Sequence, residues 1–272
     1  MQEVQSYIVS HADGDLLAWR HQVDAAERFG LSLAEVETAI LEAGLLPARY
    51  QRNRRMLSTA QQMQLFRSRV GVIGCGGLGG YILEQLARLG VGHIVAIDAD
   101  VFEEHNLNRQ LLSSPAALGR PKVELAVARL AEINPAVTVK PVQEIFTRKN
   151  GGELLSGLDC VVDAVDNVTA RLDLAEVCNE IKIPLVHGAI AGWYGHLATI
   201  YPGESSMQTI YRHWTGGKGV EQQLGNPSFT PAVIASLEVA EVCKVLLGQG
   251  ALLRNRKLSL NLLDMEVEEI PL

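Results

Sequence analysis

The chain has 272 residues, 47% of them hydrophobic and 20% charged, and 24 basic against 31 acidic side chains give a net charge of −7. At roughly 150 residues per domain that composition suits one large α/β domain carrying an appendage, with length enough to bury a substantial core, and it excludes disorder, collagen and a repeat array. The acidic balance argues against general binding to nucleic acid or to anionic membrane, since both need a positive field.

The first residues, MQEVQSYIVSHADGD, lack the basic start and apolar run of a secretory signal, so a cytoplasmic location is expected. Residues 15–29 and 32–43 both read as amphipathic helices. The first ends at Gly30; the second opens with Ser32 and Glu35 as a capping box and closes at Gly44, where a left-handed C-cap is expected. Pro47 stops the helical pattern and sets a boundary near residue 50, giving a helical N-terminal extension over 1–48 and a main domain over 49–272. A DNA-reading helix-turn-helix in the extension is disfavoured because the second helix carries Glu35, Glu37 and Glu42 and no Lys or Arg.

After a helix ending near Phe66, short β-branched runs alternate with helical segments, the pattern of a mainly parallel sheet. Strands are predicted at 69–73, 93–98, 137–142, 159–165, 183–188 and 196–201, with a closing pair at 257–263 and 266–270. Helices are predicted to start near Gly77, Pro121, Asn167 and Thr230. The expected fold is a Rossmann-like, doubly wound, mainly parallel sheet flanked by helices. The apolar stretch 183–200 contains Pro184, His187, His196 and three glycines, so it reads as buried strands and turns rather than a membrane span. Residues 202–230 are rich in Gly, Ser and Gln, and so long a loop in a compact domain is usually functional. Cys75, Cys160, Cys178 and Cys243 form no C-x-x-C pair and read as small buried hydrophobes.

Gly74, Gly76, Gly77 and Gly79 lie in a run, GCGGLG, that follows the strand VGVI and opens a helix, fitting G-x-G-x-x-G. Glycines there let the backbone approach a phosphate, and the helix start offers unpaired N–H groups to an anion. Asp98 ends the next strand, placed to accept from ribose hydroxyls. On these residues alone an NAD(P)-dependent oxidoreductase and a non-catalytic nucleotide-sensing protein stay open. DADVFEEHNLNRQ follows, carrying Asp100, His105, Asn106 and Arg109; then Lys122 in GRPK; then Asp166 and Asn167 in DAVDN. Asn106, Arg109, Lys122 and Asp166 fall at the C-terminal ends of strands, the ligand edge of such sheets. Two cations and one carboxylate suit a triphosphate with Mg²⁺, because the cations neutralise phosphate oxygens and the hard metal takes carboxylate oxygen. Asn167 also suits a helix N-cap.

These blocks, with Arg171 behind DAVDN and PLVHGA at 184–189, resemble the ThiF/MoeB/HesA family, relatives of the ubiquitin-activating enzymes, over about residues 49–250. The resemblance implies ATP-dependent adenylation of the C-terminal glycine of a small ubiquitin-like sulfur-carrier protein ending in Gly-Gly, MoaD-like or ThiS-like, by a homodimer. It implies that Asp98 binds ribose, that Asn106, Arg109 and Lys122 hold phosphates, and that Asp166 holds Mg²⁺ with Asn167 beside it. RYQRN at 49–53 is similar to a family motif, which implies that Arg52 reaches the neighbouring subunit's ATP. His105 stands where Ser is common and is expected as a neutral contact residue; His196 stands where Gln is common and Ala175 where Asn is common. Many relatives bind zinc through two C-x-x-C pairs, whereas Met207, Thr209 and Tyr211 occupy the segment of the first pair, so zinc is not expected. Residues 202–230 hold no cysteine for a thioester or persulfide, and Cys178 is expected to face the core. That loop resembles the family's crossover loop, where Gly216, Gly217, Gly219 and Gly225 imply the mobility needed to thread a carrier tail.

Overall fold

The computed structural model describes residues 2–216 and 224–272; Gly217 and Gly219 of the predicted crossover loop lie outside the described residues. The main sheet has eight strands among the described residues: β3 (Arg69–Ile73), β4 (His93–Ile97), β5 (Thr138–Val142), β6 (Cys160–Asp163), β7 (Leu185–Ala191), β8 (Tyr194–Ile200), β9 (Arg256–Asn261) and β10 (Glu266–Pro271). Their order is β10-β9-β8-β7-β6-β3-β4-β5. The five strands from β5 to β7 are parallel, and β8, β9 and β10 continue antiparallel. The chain starts in the middle, at β3, winds outward through β4 and β5, then returns to place β6 on the other side. That reversal opens a crevice at the C-terminal ends of β3 and its neighbours.

Alternate residues of the central strands feed two apolar layers. Val70, Val72 and Val162 pack with α5 (Gly77–Leu89), α6 (Lys122–Ile133) and α10 (Phe229–Leu247) on one face. Ile73 and Val161 pack with α7 (Arg148–Leu154), α8 (Val168–Glu180) and α9 (Ser206–Ile210) on the other. Burying a parallel sheet on both faces requires the near-continuous apolar runs seen in the sequence. Cys75, Cys160 and Cys178 are buried in these layers, while Cys243 is partly exposed.

The N-terminal residues form α1 (Gln2–Ser10), α2 (Trp19–Phe29) and α3 (Leu33–Glu42) around their own apolar cluster, which includes Tyr7, Ile8, Leu17, Val36 and Ile40. The Ser32–Glu35 capping box is present, and Gly44 adopts a φ of +76° just past α3. The helix expected from residue 15 begins instead at Trp19, because Leu16 and Leu17 form a short strand, β1 (Leu16–Leu17), paired with β2 (Leu46–Pro47). Glu37, one of the acidic residues that set the charge of the second helix, points inward. It is buried, pairs with Arg49 and accepts the Tyr50 hydroxyl at 2.8 Å.

Helix α4 (Thr59–Arg67) precedes β3 as expected. Strands β7 and β8 are longer than predicted and meet in a tight hairpin, with Gly192 at a φ of +56°. Glycines broke the sequence pattern there, yet Gly188 and Gly195 lie inside strands because a Cβ would stand 2.3 Å from the Glu238 carboxyl and 2.4 Å from Ile234. Helices α1, α7 and α9 are additional to the predicted set. Gly151 and Gly152 obscure α7 in the sequence, although Thr147 and Asn150 cap it.

Candidate active site

The crevice holds a cavity of about 210 Å³ lined by Gly74, Gly76 and Gly77, by Asp98 and Asp100, by Arg109 and Lys122, and by Asp166 and Asn167. The glycine turn leaves β3 with Gly74 at a φ of +94°, and a Cβ there would lie 2.5 Å from the Ala164 carbonyl oxygen. Gly76 caps α5 with no side chain, so the first N–H groups of that helix face the cavity without a protein side-chain acceptor at the cap. Gly79, read from the motif as a binding residue, is not in the cavity. It sits in α5 where a Cβ would come within 1.8 Å of the Gly74 carbonyl oxygen, so it serves the close packing of helix on strand.

Asp98 follows β4 and stabilises this turn. One carboxylate oxygen accepts from the Cys75 N–H at 2.7 Å and the other from the Asp100 N–H at 2.8 Å. Burial pushes its carboxyl above the usual range, against the pull of Lys122. Lys122, at the start of α6, is itself buried and places Nζ 2.9 Å from Asp100 and 4.0 Å from Asp98. Arg109 is held by the His105 carbonyl at 3.1 Å and the Asn108 side chain at 2.9 Å. Partial burial lowers its pKa, and the Asp166 charge opposes that. Asp166 and Asn167 come from the turn between β6 and α8. Asn167 is also the N-cap, its Oδ1 accepting from the Ala170 N–H at 2.8 Å.

Three other predicted residues lie outside the cavity lining. Asn106 is buried, and its Oδ1 accepts from the Glu103 N–H at 2.9 Å, so its side chain closes a 3₁₀ turn. His105 is exposed beside the Glu103 carboxylate at 3.2 Å and turns only its backbone carbonyl towards Arg109. Arg52 is exposed in the turns after the 3₁₀ segment Ala48–Tyr50. Gln110 and the segment Glu144, Ile145 and Phe146 line the cavity without having been singled out. Their only sequence signal is position: the segment follows β5 at the ligand edge.

Among the described residues, no group of three His, Cys, Asp or Glu side chains gathers to hold a metal on its own. Asp166 is an exposed carboxylate opposite two cations in the same cavity. A single hard oxygen donor fits Mg²⁺, which takes one or two protein carboxylates and completes its shell with phosphate oxygens and water.

Comparison with known proteins identifies the family. The model of the ThiF family matches residues 50–272. The chain is 36% identical over 212 residues to the SAMP-activating enzyme E1 of Haloferax volcanii, covering 77% of this chain and 78% of that one. It is 35% identical over 191 residues to the molybdopterin-synthase adenylyltransferase of Escherichia coli, covering 70% and 77%. Identity to the sulfur carrier protein adenylyltransferase of Thermus thermophilus is 36% over 197 residues, covering 70% and 73%. Of solved structures, E. coli MccB with ATP superposes with a TM-score of 0.69 over 97% of this chain and 80% of that one at 19% identity, a likeness of fold. The chain belongs to the ThiF family, as an adenylyltransferase of that family.

Proposed function

We propose that this chain uses ATP to adenylate the C-terminal glycine of a small ubiquitin-like sulfur-carrier protein ending in Gly-Gly, MoaD-like or ThiS-like, in molybdopterin or thiamine biosynthesis or a related sulfur transfer. The observation that carries this is the gathering of Arg109, Lys122 and Asp166 around the glycine turn and open helix start in one cavity. A nicotinamide needs none of those three charged groups, so they favour a triphosphate. In this reading Asp98 accepts from the ribose hydroxyls, the α5 start and Arg109 and Lys122 hold the phosphates, and the wall at Ile145 and Phe146 adjoins the base.

Asp166, with Asn167 beside it, would hold Mg²⁺, which when bound adds positive charge at the phosphates. A terminal carboxylate oxygen of the carrier attacks the α-phosphorus, the bond from that phosphorus to the bridging oxygen breaks, and pyrophosphate leaves with the electron pair. The carboxylate is already ionised at neutral pH, so no general base is needed. Arg109 and Lys122 stabilise charge on the phosphorus centre and the leaving group, and positioning and electrostatics do the rest. The unit performing this spans 49–272, with 1–48 as a helical extension. The working form is a homodimer in which Arg52, exposed and not lining its own cavity, serves the neighbour's ATP.

Arg109→Ala and Asp166→Ala are each expected to abolish carrier-dependent ATP–pyrophosphate exchange while leaving the melting temperature near the wild-type value. Unchanged exchange in either variant overturns the assignment of that residue.

A further inference from the structure

The turn that carries Asp166 is held from beneath by a buried pair that belongs to neither the glycine motif nor the phosphate-binding set. Asp163, the last residue of β6, is fully buried, and its Oδ1 accepts from the Val165 N–H at 3.1 Å. Its Oδ2 lies 2.7 Å from Nδ1 of His187, the facing residue on β7, which is also fully buried. The carbonyl of Val165, immediately before Asp166, accepts from Arg171 at 2.7 Å.

The other end of the imidazole faces a second cavity. Nε2 of His187 stands 3.2 Å from the Tyr211 hydroxyl and 3.3 Å from Nε2 of His196, and Arg171 also bonds the Tyr211 hydroxyl. Tyr211, His196 and Arg171 line a cavity of about 460 Å³ whose walls are apolar and aromatic, including Ile190, Tyr194 and Trp214. The two cavities share the first turn of α8: Asn167 and Ala170 face the nucleotide side, Val168 and Arg171 the other.

Donating Nδ1–H to Asp163 leaves His187 with a single acceptor lone pair at Nε2. Both the Tyr211 hydroxyl and an Nε2–H of His196 reach for that one lone pair, so two arrangements compete. Burial lowers the pKa of both rings and keeps them neutral. A group entering the cavity that engages Tyr211 or His196 selects one arrangement.

We propose that His187, oriented by Asp163, is a positioning residue that sets the Asp166 turn and couples it to occupancy of the second cavity. The proposal rests on the adenylation reading, and adds to it that the carrier's extended tail occupies that cavity while its terminal carboxylate meets the nucleotide. Removing a group that orients a metal ligand costs roughly ten- to hundred-fold in metal affinity or activity, and His187 acts on Asp166 through the backbone of one turn.

The test is calorimetric titration of ATP at a series of Mg²⁺ concentrations on wild type, His187→Ala and His187→Asn, with carrier-dependent pyrophosphate exchange on the same proteins. The Asn amide nitrogen stands near the place of Nδ1, so it keeps the bond to Asp163 and loses the Nε2 end. His187→Ala is expected to raise the Mg²⁺ needed for half-maximal ATP binding about ten-fold, with metal-free ATP binding unchanged. His187→Asn is expected to restore the Mg²⁺ requirement while exchange stays depressed. Asp163→Asn, of equal volume, forces the other tautomer and is expected to reproduce the Mg²⁺ defect; it carries the test where His187→Ala does not fold. A wild-type Mg²⁺ requirement in every variant, or an equal defect in His187→Ala and His187→Asn, overturns the proposal alone. Absence of Mg²⁺-dependent ATP binding by the wild type overturns the adenylation reading and this proposal with it.

Discussion

Glu238 lies fully buried in α10 against Gly188, and both of its carboxyl oxygens lack a hydrogen-bond partner among the described residues. Burial pushes its carboxyl well above the ordinary value of 4.5, with the nearby Asp163 charge adding to the effect. The folded protein therefore keeps a proton that the unfolded chain releases. Stability contributed by such a group is full below 4.5 and declines as pH rises towards the folded value. Glu238→Gln removes the ionisation, so melting temperature followed from pH 5 to pH 8 is expected to fall less steeply than in wild type and to end higher. Parallel curves would contradict this. The same scale explains which site residues were legible. The sequence singles out Asp98, Asp100, Arg109, Lys122 and Asp166 because phosphate and metal chemistry needs charged types at strand ends, and the fold places all five around one candidate cavity. Gly79 and Asn106 carry motif identity for packing and turn closure, two demands a pattern does not separate from binding. The Asp163–His187 pair was invisible because its two members lie 24 residues apart and meet only through the parallel register of β6 and β7.

At the scale of elements, the alternation of apolar runs and capped helices gave the order of strands and helices with bounds close to those observed, since each element buries one periodic face. It failed where local and tertiary demands disagree, as in the glycines of β7, β8 and α7. The joint between the N-terminal helices and the sheet shows how a polar contact fixes two elements together. Tyr50 is 1% exposed; its hydroxyl donates to Glu37 of α3 and accepts from Asn134, just past α6, at 2.7 Å. Asn134 also donates to the Ala87 carbonyl of α5. Tyr50→Phe keeps the ring and leaves two buried groups short of a partner, which costs about 1–3 kcal/mol. Chemical denaturation is expected to show that loss with an unchanged slope, and an unaltered midpoint would contradict it.

Arg52 is exposed and does not line the cavity of its own chain, so the proposed dimer makes a prediction that a monomer cannot meet. Arg52→Ala and Asp166→Ala are each expected to be inactive alone. Mixed and re-equilibrated in equal amounts, half of randomly paired two-fold dimers are heterodimers, each with one complete site, so activity returns to about a quarter of wild type. No recovery, with exchange of subunits verified by mass, would place Arg52 outside the neighbour's site. The central claim is tested most directly by ATP–pyrophosphate exchange with a panel of small carriers ending in Gly-Gly, run on wild type and Asp166→Ala side by side. The account predicts exchange with at least one carrier in the wild type and none in the variant; ATP binding without exchange for any carrier, or exchange that survives in Asp166→Ala, would contradict it.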